Sequence, residues 1–409
     1  MKLDELKKYK KILLLGYGKE GKATEKFLKK YLPESIVGIS DKKFDPNYLE
    51  EQKNYDLVIR SPGVKKNLII KDYTTATNIF LANIKNVVIG VTGTKGKSTT
   101  VSLIYLILKK AGKKVHLVGN IGYPMLEEIL KPIGKDDIFV CEFSSYQLDD
   151  IKYSPHISVV LDLFPEHMDY HDGVENYYQA KKNIITYLTV NDYFIYNPQF
   201  LELKAWADKT RCKTIPFEQN IPIENKDIPL IGEHNRENIK AAVTVVHLFN
   251  VDNRIIRGAI KEFKPLPHRL EMIGNFKGII FYDDAISTTP ESTIFAIKSL
   301  KDIGTIFLGG EDRGYDFKIL IRTILDYYIP NIILFPDSGL KMLSLLKTMA
   351  KKIPRTLITS SMDKAVKFAY QYTPKDSICL LSNASPSYSL WKNFEEKGDQ
   401  FQFFVKKYR

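Results

Sequence analysis

The chain has 409 residues, with 60 Lys and Arg against 48 Asp and Glu, a formal charge of +12; 44% of residues are hydrophobic and 26% charged. That is ordinary globular composition, which excludes wholesale disorder, collagen-like repeats and low-complexity scaffolding. Cys141, Cys212 and Cys379 lie far apart with no CxxC spacing, which excludes a disulfide framework and a structural zinc site and fits a reducing cytoplasm.

Most lysines fall in scattered pairs such as Lys7-Lys8, Lys29-Lys30 and Lys406-Lys407. This is the pattern of solvated helix faces, so an anionic small substrate is expected rather than nucleic acid. The first apolar run, Ile12 to Leu15, is too short for a signal-peptide core. No later stretch reaches the roughly 18 apolar residues of a membrane span. A soluble, cytoplasmic α/β protein of several domains is expected, and a monomer.

In chain order, the pattern predicts a strand Lys11–Leu15, a helix from about Lys19 to Tyr31, a strand Ser35–Ser40 and a short strand Asp56–Ile59. Gly16, Gly18 and Gly21 follow the first strand and open the helix, and Asp41 follows the second strand. This satisfies the dinucleotide fingerprint, and read alone it suggests NAD and an oxidoreductase.

A second unit opens with the apolar strand Asn86–Val91, a glycine turn and a helix from about Ser98 to Ala111. In Gly93-Thr94-Lys95-Gly96-Lys97-Ser98-Thr99 the glycines let backbone N–H groups approach phosphate oxygens. Lys97 reaches the outer phosphates, and Ser98 or Thr99 can ligate Mg²⁺. The position five before Gly96 is Val91, so the general GxxxxGK[ST] pattern is missed by one residue.

Strand Ile138–Phe143 carries Glu142 near its end, and strand Ile157–Leu161 runs on to Glu166-His167-Met168-Asp169. In an open parallel sheet, ligands collect outside the carboxyl ends of the strands, so Glu142 and His167 arrive beside the phosphate loop as candidate metal ligands. Taken alone, they read as a solvated carboxylate and a surface histidine. Lys181 lies in a helix Val174–Leu188 among Tyr177, Tyr178, Ile184 and Ile185. From spacing alone its stem covers apolar surface and its ammonium reaches solvent; buried, it would be a neutral, reactive amine.

Two prolines in Lys264-Pro265-Leu266-Pro267 interrupt the pattern, and an α/β alternation restarts with strands Gly278–Tyr282, Thr305–Leu308, Asn331–Leu334 and Ser377–Leu381. Three domains are predicted: 1–84, 85–266 and 267–409. Thr289 and Pro290 read as N-cap and first residue of a helix, suited to receive a carboxylate.

Six ordered motifs carry a resemblance: the loop Gly93 to Thr99, Gly119-Asn120-Ile121-Gly122, Glu142 to Leu148, Glu166 to Asp169, Gly232 to Asn238, and Pro267-His268-Arg269-Leu270-Glu271. Together they resemble the Mur ligases, within them the glutamate-adding branch. The resemblance implies an α/β fold of three domains: N-terminal Rossmann-like, central P-loop parallel sheet, and C-terminal Rossmann-like. It implies an ATP- and Mg²⁺- (or Mn²⁺-) dependent ligase that joins glutamate, D-glutamate by preference, to UDP-N-acetylmuramoyl-L-alanine in peptidoglycan precursor synthesis.

By the same resemblance, Lys97 would hold the β/γ-phosphates, Ser98 and Glu142 one metal, and His167 a second. Lys181 falls where the family has a lysine carbamylated by CO₂ that shares the second metal. Asn235 and Asn238 would approach the adenine, with His268, Arg269 and Asp284 completing the ATP site. Gly16, Gly18, Asp41, Ser61 and Asn120 would contact the UDP-sugar, displacing the NAD reading. Thr288, Arg313, Ser387 and Phe394 would contact the amino acid.

Three departures qualify this. Asp162-Leu163-Phe164-Pro165-Glu166-His167 stands where the family often has Asn-x-x-x-Asp-His. Ile286 replaces a common lysine and Ser389 a common aspartate, which keeps L-glutamate open as acceptor. Alternatives are a folylpolyglutamate synthetase-like ligase and a non-catalytic nucleotide-binding regulator.

Overall fold

The computed structural model describes residues 1–409 except 219 and 231; the side chain of residue 169 also lies outside the described part. The predicted alternation of apolar runs and amphipathic stretches produces three sheets. The first has strands β1 (Lys11–Leu15), β2 (Ile36–Ser40), β3 (Leu57–Arg60) and β4 (Tyr73–Thr75), all parallel in the order β2-β1-β3-β4. Helix Lys19–Tyr31 turns Ala23, Phe27 and Leu28 inward, an i, i+4, i+5 face of the kind that packs on a sheet.

The second sheet has β5 (Val87–Thr92), β6 (Val115–Gly119), β7 (Ile138–Glu142), β8 (Ile157–Val160), β9 (Tyr193–Tyr196) and β10 (Lys213–Pro216), in the order β10-β9-β8-β5-β7-β6. Its pairings are parallel. The central strands β7 and β8 are buried throughout, because helices cover both faces of such a sheet. Helix Lys97–Lys110 begins directly after the loop that leaves β5.

The third sheet has β11 (Glu271–Phe276), β12 (Ile279–Asp283), β13 (Ile303–Gly309), β14 (Asn331–Phe335), β15 (Arg355–Ile358) and β16 (Ile378–Leu381), in the order β11-β12-β16-β13-β14-β15. It is parallel except for β11, which pairs antiparallel with β12.

The chain divides into two compact units: residues 1–229 with 234–263, and residues 230–233 with 264–409. Within the first unit, the two sheets are tied by a buried ion pair. Arg60, at the end of β3, donates to Asp150 Oδ2 from Nε at 3.1 Å and Nη2 at 2.8 Å, and both side chains are almost fully shielded from solvent. Arg60 Nη1 also donates to the Tyr170 hydroxyl at 3.1 Å.

Candidate active site

The strand–loop–helix at 87–110 places an anion cradle at the carboxyl end of β5. Gly96 has φ +77°, and a Cβ there would meet Asn238 Oδ1 at 2.1 Å, so only glycine lets the loop close against that amide. The missing glycine at position 91 costs nothing, because Val91 lies inside β5. Lys97 folds back over the loop, its Nζ 3.0 Å from the carbonyl of Gly93 and 2.9 Å from that of Thr94. Burial lowers its pKa, against the charges of Glu142, Glu166 and Asp162.

Glu142, the last residue of β7, is 1% exposed. Its Oε1 accepts from Asn120 Nδ2 at 2.8 Å, while its buried Oε2 has no hydrogen-bond partner among the described residues. A shielded carboxylate oxygen left unpaired needs a cation or donor. With the Ser98 hydroxyl starting the adjacent helix, the oxygen donor set fits Mg²⁺ or Mn²⁺.

Lys181 corrects the reading from spacing alone. Its ammonium does not reach solvent: the residue is 1% exposed, and Nζ donates to Gly93 O at 2.6 Å and sits 4.7 Å from the Tyr177 ring centroid. The helix runs only to Thr186. Its N-terminal half is pinned by Tyr177, whose hydroxyl donates to Thr94 Oγ1 at 3.1 Å. Burial drives the Lys181 pKa well below the ordinary lysine range, and the nearby Lys97 charge adds to the effect.

His167 is more open, its side chain 41% exposed, as the surface reading has it. Burial nevertheless lowers its pKa, although Glu166 opposes the shift; a neutral imidazole is the metal-binding form. Lys95 Nζ pairs with Glu166 Oε1 at 2.7 Å.

A cavity of about 650 Å³ joins this cluster to the first sheet; Lys97, His167 and Lys181 share its wall with Gly16, Gly18, Asp41, Ser61 and Asn120. Asp41 accepts from the backbone N–H of Tyr17 at 2.5 Å and of Lys43 at 2.8 Å, bonds that on balance lower its pKa against burial. Ser61 Oγ donates to Gly16 O at 2.7 Å. The dinucleotide-like turn and the phosphate loop thus face one chamber. The Asn238 amide lies against the loop at Gly96, and its Nδ2 donates to Asn235 Oδ1 at 3.0 Å.

The second unit holds the remaining candidates. His268 Nδ1 lies 2.7 Å from Asp283 Oδ2; burial lowers its pKa, but Asp283, Asp399 and Glu271 raise it on balance. Asp284 is buried, accepting from Ser287 Oγ at 2.5 Å, Ser382 Oγ at 2.8 Å and Leu270 N at 3.2 Å. Burial lifts its pKa to about 6. His268, Glu271 and Asp283 cluster within 4.8 Å. Gln402 Nε2 donates to both carboxylates at 3.0 Å, so the group is closed by protein hydrogen bonds.

Thr289 caps the helix Pro290–Ser299 as predicted, and Thr288 precedes it, partly exposed. Ser387 is buried, with Oγ lacking a partner among the described residues. Phe394 packs 6.3 Å from the His268 ring. Arg313 is half exposed, pairing with Glu311 at 2.9 Å. Sequence reasoning missed Arg60, Tyr177 and the buried Lys397, whose Nζ has no partner among the described residues. For Lys397 the signal was available: position 397 shares the inward face of helix Phe394–Lys407 with Phe401 and Val405.

Residues 91–226 match the family described as the Mur ligase middle domain. The UDP-N-acetylmuramoylalanine–D-glutamate ligase of Clostridioides difficile (strain 630) is 31% identical, the alignment covering 97% of this chain and 98% of that protein. Among solved structures, the Thermotoga maritima MurF ligase in complex with ADP superimposes with TM-score 0.63 at 16% identity, covering 97% of this chain and 95% of that one. The UDP-N-acetylmuramate–alanine ligase MurC from the same organism gives TM-score 0.60 at 16% identity, covering 98% and 100%. These two likenesses show the fold.

Proposed function

The chain belongs to the Mur ligase family, and from that premise we propose that it joins D-glutamate to UDP-N-acetylmuramoyl-L-alanine at the expense of ATP. We assign the three sheets to domains 1–84, 85–266 and 267–409. The observation that carries the reading is the convergence of Lys97, Glu142, His167 and Lys181 at the carboxyl ends of neighbouring strands, with three of them on the wall of the chamber that also holds Asp41 and Ser61.

A carboxylate does not react with an amine, because oxide would have to leave. ATP therefore phosphorylates the alanyl carboxylate, and the glutamate nitrogen displaces phosphate from the acyl phosphate. Two anions brought to about 4 Å repel by roughly 4 kcal/mol per unit-charge pair at an intermediate dielectric. Lys97, folded over the loop at the cavity wall, offsets part of this. Further charge screening is what Mg²⁺ or Mn²⁺ supplies when bound: Ser98 and Glu142 would hold one ion, and His167 with Lys181 a second.

As an ammonium, Lys181 repels a cation. Its depressed pKa favours the free amine, which can add to CO₂ with loss of a proton to give a carbamate anion. Thr288, Arg313, Ser387 and Phe394 are assigned to the amino acid, and Asn235, Asn238, His268, Arg269 and Asp284 to ATP. That the Thermotoga MurF ligase is described in complex with ADP supports a nucleotide as the ligand. The reading includes a cytoplasmic monomer; among the described residues no helix is long and apolar enough to cross a membrane.

Phosphate release that requires ATP, UDP-N-acetylmuramoyl-L-alanine and glutamate together tests the proposal, with D- and L-glutamate compared as acceptors. Turnover with a folate in place of the UDP-sugar would overturn it.

A further inference from the structure

Asp162 is the residue the activity leaves unexplained. It stands just after β8, and its carboxylate reaches into the phosphate loop. Oδ1 accepts from Thr94 N at 2.5 Å and from Lys95 N at 3.0 Å, and Oδ2 lies 3.3 Å from Lys95 N. The Asp162 carbonyl also accepts from Thr94 N, at 3.3 Å. A Cβ at position 93 would stand 2.9 Å from Oδ1, so Gly93 is what admits the carboxylate. Backbone N–H groups of such a loop are the donors that phosphate oxygens use. Here an internal anion already takes two of them.

We propose that Asp162 is a built-in phosphate mimic, an anion tethered in the nucleotide loop that competes with the nucleotide's phosphates for the N–H groups of Thr94 and Lys95 and for the Lys97 charge. It weakens nucleotide affinity and speeds release of the spent nucleotide. The inference rests on the nucleotide reading above. Burial raises the Asp162 pKa on balance, while the backbone N–H of Lys95 and the Lys97 charge oppose the rise; the anionic carboxylate is the form whose Oδ1 accepts from two backbone N–H groups, as it does here. An asparagine would make the same two contacts through Oδ1 without the charge, so the difference between the two side chains is electrostatic.

The test is the dissociation constants of ADP and ATP, with Mg²⁺ at fixed concentration, for the full chain and for Asp162→Asn, by calorimetry, with off-rates from a fluorescent nucleotide. Asp162→Asn should bind ADP at least tenfold tighter and release it correspondingly more slowly. Asp162→Ser, which removes the charge with a shorter side chain, should also bind more tightly, and it serves if the asparagine variant does not fold. Equal or weaker affinity in a folded variant, while the natural chain binds nucleotide, overturns this inference alone. Absence of nucleotide binding in every protein overturns the nucleotide reading and this inference with it.

Discussion

Lys181 Nζ donates a 2.6 Å hydrogen bond to the carbonyl oxygen of Gly93, so the side chain assigned to a metal is fastened to the first residue of the phosphate loop. The bond joins the helix Val174–Thr186 to the turn that follows β5. It keeps the amine inside the site while burial and the Lys97 charge favour its neutral form.

Lys181→Ala should therefore lower turnover by at least about a hundredfold, the scale of losing one preorganised charge in a dry site. Bicarbonate or a short carboxylic acid should restore part of the rate by filling the space with an anion. Steady-state rates with and without the additive check this; full activity in the alanine variant would rule out the carbamate.

Glu142→Gln keeps an oxygen that can accept from Asn120 Nδ2 but removes the charge behind the unpaired Oε2. Turnover should fall by about a hundredfold or more, and the Mg²⁺ concentration for half-maximal rate should rise. A titration of Mg²⁺ against rate measures both; an unchanged metal requirement would place the ion elsewhere.

Arg60→Met leaves Asp150 buried without its cation. Breaking a buried pair by removing one partner costs about 3–5 kcal/mol, and the loss should appear as a lower urea midpoint with an unchanged slope. Arg60→Met with Asp150→Leu should recover most of it.

How far the fold was legible in the sequence depended on the kind of signal. The buried runs that became β5, β7 and β8 stood out within a residue of their ends because both faces of each strand are covered and the hydrophobic run is continuous. Strand β6, Val115–Gly119, escaped because its sequence includes His116 and most of it is only partly buried; β11 escaped because it alternates exposure and contains Gly274. In the site, Lys97 and Ser98 followed from local spacing. Glu142 and His167 needed the strand-end rule of parallel sheets. The depth of Lys181 did not follow, because a lysine on an apolar stripe can reach solvent or turn inward, and the decision belongs to Tyr177 and Gly93, 88 residues away along the chain at the latter.

Lys397 gives a prediction about pH. It is fully buried, and burial lowers its pKa to about 7, with Asp283 and Asp284 opposing the shift. The unfolded lysine titrates near about 10.4, so between about pH 7 and 10 the unfolded chain binds the extra proton and stability rises with pH. Lys397→Met should raise stability at pH 7 by a few kcal/mol, on the order of 4 at most, and the advantage should vanish by about pH 10. Denaturant melts of both proteins across that range measure it; a constant difference would mean that the ammonium is paired in the native protein.

The most direct test of the ligase reading uses UDP-N-acetylmuramoyl-L-alanine carrying ¹⁸O in its carboxylate, with ATP and D-glutamate. If the carboxylate is phosphorylated before the amine attacks, one labelled oxygen passes to each phosphate released, and mass spectrometry will find it there. Phosphate released without label during amide formation would contradict the acyl-phosphate route and the roles given to Lys97, Glu142, His167 and Lys181.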